Sequence, residues 1–274
     1  MTQHHARVPA VMSFAGNDPT GGAGIQADIE TIISMGCHAA PVITALTVQD
    51  TRNVVEVRPV DAALVVEQAR AVLLDVPIAC FKIGLIGSAE NASAIHTLLL
   101  DHPEIPVVFD PVLAAGGGRP LADDVLMDAI TALLLPLTTI LTPNSLEARR
   151  LAPEADTLDA CAQELQATGC EFVLITGTHE RGDPVVNTFY GNHRRLESFQ
   201  WDRLPHSYHG SGCTLASAIA GLLAQGLEPL AAVHEAQEYT YRTLEHAYAA
   251  GQGQLLPNRL FWARGDEEAG DGEP

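Results

Sequence analysis

The chain has 274 residues, 47% of them hydrophobic and 18% charged, enough apolar content for a sizeable buried core. A formal net charge of −19, with one lysine (Lys82) against fourteen arginines, argues against nucleic acid or an anionic membrane as a partner. Five scattered cysteines form no CxxC pair, no run approaches the roughly 18 apolar residues of a membrane span, and residues 1–9 lack a signal peptide's apolar core, so a reducing cytoplasm is the expected setting.

Residues 7–14 read as a short apolar strand that runs into a loop with four glycines, 15–24. Residues 25–35 carry isoleucines at helical spacing and end at Gly36, a candidate C-cap. Residues 39–47 form a continuous apolar strand, expected to be buried on both faces, and 54–60 alternates like a half-exposed strand. Asp61 suits the N-cap of a helix at 62–74. A strand at 79–86 ends in Gly87-Ser88 and leads to a helix at 89–100. Pro111 stops a strand at 107–110, and a glycine run at 116–118 precedes a helix at 123–135. A strand at 139–141 is followed by Thr142-Pro143-Asn144 and helices at 146–151 and 157–168. After a strand at 172–176, residues 185–190 and 194–201 form a small β-hairpin around Gly191-Asn192. Helices at 214–225 and 230–249 complete a single domain over residues 1–264, and the acidic residues 265–274 read as a disordered tail. This alternation predicts an α/β protein: a mostly parallel central sheet, helices on both faces, and the loops that follow the strands gathered on one rim, where ligands bind.

The chemistry gathers in those loops. In Tyr208-His209-Gly210-Ser211-Gly212-Cys213-Thr214 a glycine-rich turn opens a helix. Such a turn aims backbone N–H groups and the positive end of the helix dipole at one point, which suits a phosphoryl group with developing charge. Cys213 falls in the first helical turn, where a thiol's pKa tends to fall, so it is a candidate proton acceptor. Gln49 ends a strand with a donor and an acceptor side by side, a fork that matches an aminopyrimidine edge. Asp110 ends a strand and Glu147 follows Asn144 by one turn; both are candidates to hold Mg2+ or its waters, or to serve as caps. The 17–24 loop is neither a P-loop nor a dinucleotide fingerprint, but its glycines allow close approach of a ligand to the backbone. Lys82 is expected to snorkel from its apolar strand to an edge, and Arg149-Arg150 and Arg194-Arg195 to lie on solvated faces.

Five segments occur together in order: AGNDPTGGAGIQADIET, ITALTVQDT, DPVLAAGGG, LTPNSLEA and HGSGCTLASAIA. Over roughly residues 11–248 the chain resembles the hydroxymethylpyrimidine/phosphomethylpyrimidine kinases of the ribokinase-like superfamily. The resemblance implies a Rossmann-like sheet, a homodimer, and use of Mg-ATP to phosphorylate 4-amino-5-hydroxymethyl-2-methylpyrimidine and then its monophosphate, for thiamine biosynthesis or salvage. Matched positions imply that Gly16, Ala23, Asp28, Gln49, Leu85, Val112 and Cys213 surround the pyrimidine. They imply that Asn144, Gly177 and His179 lie near the ATP, that Asp110 and Glu147 lie near Mg2+, and that Gly210, Ser211, Gly212 and Cys213 form the anion hole. Three positions depart from the family's habit: no lysine follows Asp110-Pro111-Val112, with Arg119 the nearest cation; Gly177-Thr178-His179 replaces Gly-Gly-His; and Leu85 stands for methionine. The alternatives are a pyridoxal or pyridoxine kinase, a ribokinase-type sugar kinase, which Cys rather than Asp at 213 disfavours, and a non-catalytic pyrimidine-binding regulator.

Overall fold

A computed structural model describes residues 7–116 and 118–263; the acidic tail and Gly117 lie outside the described residues. The chain runs β1 (Ala10–Asn17), α1 (Gly24–Ser34), β2 (His38–Gln49), β3 (Val54–Pro59), α2 (Ala62–Leu73), β4 (Ile78–Ile83), α3 (Ala89–Leu100), β5 (Val107–Phe109), α4 (Asp124–Ala129), β6 (Ile140–Leu141), α5 (Ser145–Leu151), α6 (Leu158–Ala167), β7 (Phe172–Ile175), β8 (Val185–Gly191), β9 (Arg194–Trp201), α7 (Ser211–Ala224) and α8 (Pro229–Glu245). One nine-stranded sheet has the order β3-β2-β1-β4-β5-β6-β7-β8-β9. The strands from β2 to β7 in that order are parallel, and β3, β8 and β9 pair antiparallel at the two edges.

Alternation along the strands divides the core. Met12 and Phe14 of β1, Phe81 and Ile83 of β4, and Phe109 of β5 pack under α2 to α6. Val11, Cys80 and Val108 face the opposite way, under α1, α7 and α8. Both faces of the central strands are therefore buried, as a parallel sheet requires.

Differences from expectation have local causes. β2 is buried only in part, with Leu46 and Val48 exposed. Beyond Leu46 it leaves β1 and pairs with β3 alone, outside the cover of the helices. The helix expected over 123–135 is α-helical only to Ala129; it continues as a π-helical turn and a tight turn at Pro136, which has no N–H to extend a helical ladder. The hairpin turns at Asn192 and His193, both in the left-handed region with φ of 53° and 55°, one residue later than expected. Asp61 caps α2 as expected, accepting from the amides of Ala63 and Leu64.

Candidate active site

The chain order reverses in the middle of the sheet. From β1 it steps outward to β2 and β3, then returns to add β4 and its successors on the other side of β1. The crevice at such a reversal, beyond the carboxyl ends of the strands, is where open α/β sheets bind ligands. Here it is a cavity of about 630 Å3. Its walls include Gly16, Ala23, Gln49, Leu85 and Val112 on one side, Gly210, Ser211, Gly212, Cys213 and Asp110 in the middle, and Asn144, Glu147 and His179 on the other. Two expected residues are not on the wall. Gly177 sits behind it, its N–H donating to Asn187 Oδ1 at 2.9 Å, while its neighbours Thr176 and Thr178 line the cavity. Asp28 lies beneath the floor, fully buried.

The turn expected to form an anion hole is shaped by one glycine. Gly210 has φ 85°, and a side chain there would overlap the Gly22 carbonyl, so the turn into α7 takes no other residue easily. The turn starts α7 at Ser211 rather than at 214 as expected, which leaves the first-turn amides of residues 211–213 without intrahelical partners. Gly212 lies beside Asp110: a Cβ there would be in ordinary contact, 3.7 Å, with both carboxylate oxygens. Cys213 is half-buried, and enclosure pushes its thiol up to about 12, against the opposing pull of Lys82. Burial therefore works against the acidified thiol expected at a helix start.

Lys82 does not snorkel to an edge. It is fully buried at the cavity floor, with Nζ 2.8 and 3.0 Å from the two oxygens of Asp28. Ser13 and Ser217 hydroxyls donate to the same carboxylate at 2.5 and 2.7 Å, so α1, α7, β1 and β4 meet in one saturated polar cluster. Burial opposes the ammonium, but the charge of Asp28, with that of Asp110 behind it, holds the lysine above its ordinary pKa. Gly84 makes the space: a Cβ there would press on Nζ at 2.7 Å.

A second cluster joins the β1–α1 loop to the turn before α7. Asp18 Oδ1 accepts from the Thr20 amide and hydroxyl, each at 2.8 Å, and Oδ2 accepts from the Ala23 amide at 2.9 Å and from His209 Nε2 at 2.7 Å. Gln49 Nε2 lies 3.4 Å from His209 Nε2. Arg259, almost fully buried, donates to Thr214 Oγ1 at 2.9 Å, to the Gly22 carbonyl and to Glu30 at 3.1 Å, binding loop and helix together.

On the far side, Asn144 and Glu147 form a reciprocal capping box at the start of α5. Burial pushes the Glu147 carboxyl up to about 8, with the charge of Asp110 adding to it. Burial likewise raises Asp110 to about 6, the nearby Lys82 opposing and Asp28 adding. Arg203 organises the adjoining loop by donating to the carbonyls of Thr178, Gly182 and Glu180 at 2.9 to 3.0 Å. The Arg149-Arg150 pair is exposed, as expected, but both side chains are also engaged: Arg149 bonds Glu180, and Arg150 bonds the carbonyls of Leu113 and Ala122. Arg119 bonds the β3 carbonyls of Val54 and Val55 and does not line the cavity, so it does not replace the missing lysine. Sequence reasoning missed the roles of Asp18, Lys82, Arg203 and Arg259. The signal available for Lys82 was a single cation inside an otherwise apolar strand; the arginines bind distant carbonyls and left none.

A family model described as phosphomethylpyrimidine kinase matches residues 18–258. A hydroxymethylpyrimidine/phosphomethylpyrimidine kinase from Synechococcus elongatus is 38% identical over 90% of this chain and 95% of its own. A Geobacter sulfurreducens thiamine biosynthesis bifunctional protein, ThiED, is 38% identical over 93% of this chain, which spans 53% of that longer relative. The crystal structure of a phosphomethylpyrimidine kinase from Clostridium difficile aligns with a TM-score of 0.75 at 31% identity, over 87% of this chain and 100% of that one. A Bacillus subtilis pyridoxal kinase shares the fold, with a TM-score of 0.85 at 24% identity over 94% and 100% of the two chains. By sequence and by architecture, the chain belongs to the phosphomethylpyrimidine kinase family.

Proposed function

We propose that the protein transfers the γ-phosphoryl group of ATP to the hydroxymethyl group of 4-amino-5-hydroxymethyl-2-methylpyrimidine, and then phosphorylates the monophosphate to the diphosphate. The observation that carries this reading is the single cavity in which the Gln49 fork, the α7 amides and the Asn144–His179 wall face one another. The pyrimidine occupies the side walled by Gly16, Ala23, Leu85 and Val112, and ATP the side walled by Asn144, Thr178 and His179. The alcohol and the γ-phosphate then meet in front of Gly210–Cys213.

Catalysis is mainly positioning and charge stabilisation, as a loose phosphoryl-transfer transition state requires. The amides of residues 211–213 meet the charge on the transferring group, and Lys82 adds a fixed positive charge beneath them. Asp110 and Glu147 suit Mg2+: both carboxylates are enclosed, the charge of Asp110 adds to burial in raising Glu147, and one or two carboxylates beside substrate phosphates are the usual protein share of such a site. Bound there, Mg2+ would neutralise charge on the phosphate oxygens. Cys213 shapes the alcohol's seat as a neutral thiol. The enzyme works in the cytoplasm, a reading supported by five free cysteines, and as a homodimer, supported by the exposed Leu46, Val48 and Val55 beside the β3 edge.

A coupled ADP-release assay with Mg2+ and four acceptors tests the reading: the aminopyrimidine alcohol, its monophosphate, pyridoxal and ribose. Turnover of the first two, with kcat/KM for the alcohol at least about tenfold above that for pyridoxal, is expected. Equal efficiency with pyridoxal would move the assignment to a pyridoxal kinase, and pyrimidine binding without ATP consumption would make the protein a non-catalytic regulator.

A further inference from the structure

One stretch of the cavity wall lies between elements. β4 ends at Ile83, the Gly84 amide still donates to the Phe14 carbonyl at 2.8 Å, and α3 begins only at Ala89. Residues 85–88 cross the rim between them, and Leu85 stands on the wall. Carbonyls outside a ladder need other partners when they are enclosed. Thr44 Oγ1 donates to the Leu85 carbonyl at 2.5 Å. Asn91 Nδ2 donates to the Ile86 carbonyl at 3.1 Å and to the Thr44 carbonyl at 2.9 Å. Two carbonyls face that one nitrogen, which settles which end of the amide is which. Thr44 and Asn91 are both fully buried.

An irregularity in the sheet puts Thr44 there. Along β1, Ala15 pairs with Ile43 and Gly16 pairs with Ala45, so Thr44 is an extra residue on β2. A bulge re-aims a side chain out of the strand's alternation, and here it gives the hydroxyl to the 85–88 stretch. The effect falls on the acceptor side of the cavity. A Cβ at Gly16 would stand 2.8 Å from Leu85 Cδ2, so the leucine lies on the bare backbone of Gly16 and the two form one apolar surface.

We propose that Thr44 and Asn91 are positioning residues for the acceptor: by fixing the backbone at Leu85 and Ile86 they set Leu85 against Gly16, and so fix where a flat ring lies and how far its hydroxymethyl group reaches. This rests on the kinase reading above. Neither side chain lines the cavity, so both act through Leu85. Phosphoryl transfer depends on such placement, since a shift of about 1 Å at the reacting group can cost about a hundredfold in rate.

The test measures kcat, KM for the aminopyrimidine alcohol and KM for ATP in the wild type, Thr44→Val, Thr44→Ser and Asn91→Leu, with each fold checked by its urea midpoint. Thr44→Val and Asn91→Leu are expected to raise KM for the alcohol about tenfold or more and to leave KM for ATP within about twofold. Thr44→Ser keeps the hydroxyl and should stay within about threefold of the wild type in every constant. An unchanged KM for the alcohol in a folded Thr44→Val, or equal rises in both KM values, would overturn the proposal. A crystal structure of the wild type with the alcohol bound needs no variant to fold. Ring atoms within about 4.5 Å of the Leu85 side chain, with the Thr44 bond to its carbonyl kept, support the proposal; a ring seated away from Leu85 defeats it. A wild type that phosphorylates no ring alcohol would instead remove the kinase reading, whereas an active wild type whose variants bind the alcohol unchanged removes only this inference.

Discussion

A thiol in the first turn of a helix is ordinarily acidified by the dipole, yet the surroundings of Cys213 push it up to about 12. A residue held that firmly in its neutral form is a poor base at pH 7. Cys213→Ser is therefore expected to keep the fold and lower kcat by less than about tenfold in a steady-state assay, with the larger change in KM for the alcohol; a loss of a hundredfold or more would restore a proton-accepting role. Asp18 shows the opposite balance. Burial works to raise its carboxyl, but hydrogen bonds from His209 and Thr20 outweigh it and hold the group at about 2 against an ordinary 3.8. A depressed carboxyl stabilises the fold fully above its unfolded pKa and loses that contribution as pH falls through its folded one. The stability gap between wild type and Asp18→Asn, read from urea unfolding, should be constant from about pH 7 to 5 and close between about pH 4 and 2. A gap that widens on acidification would contradict this account.

The loops of the rim are held in place by arginines that bind backbone carbonyls on other segments. Arg150 spans Leu113 and Ala122, Arg203 spans Thr178, Glu180 and Gly182, and Arg259 reaches Gly22 from the end of the described chain. Removing the Arg203 fork frees the loop that carries His179 into the cavity. Arg203→Ala is expected to raise KM for ATP severalfold while KM for the pyrimidine stays within twofold; Arg203→Lys, lacking the planar fork, should rescue little. Equal changes in both constants would count against this role. These contacts also mark what pattern reading can reach. The alternation of strand and helix, the Asp61 cap and the glycine turn into α7 are local properties, so they are legible in neighbouring residues. The partner of Arg259 is a carbonyl 237 residues away, and no local pattern encodes it. The same holds for β2, whose apolar run announced a buried strand although its residues beyond Leu46 pair only with β3 at the sheet edge.

Across the whole molecule, the site sits where the α1–α7 helix layer and the sheet share one charged pair. Lys82 and Asp28 are both fully buried, and the serines of β1 and α7 complete the carboxylate's bonding. Breaking a buried pair by removing one partner leaves an uncompensated charge, typically at a cost of about 3–5 kcal/mol. Lys82→Met should lose stability of that order in urea unfolding, and Lys82→Met with Asp28→Asn should recover much of it; a double variant as unstable as the single one would show that packing rather than charge governs the site. The expectation that Asp28 touches substrate is revised by the same geometry, since its oxygens are spent on Lys82, Ser13 and Ser217 below the floor. One practical outcome follows from the position of this lysine. It carries the sole ε-amine of the sequence, and that amine is sealed. An acylating reagent can reach it only when the helix layer lifts and the salt link parts, so the rate at which a single acyl group is added at Lys82 becomes a built-in gauge of how often the catalytic floor breathes.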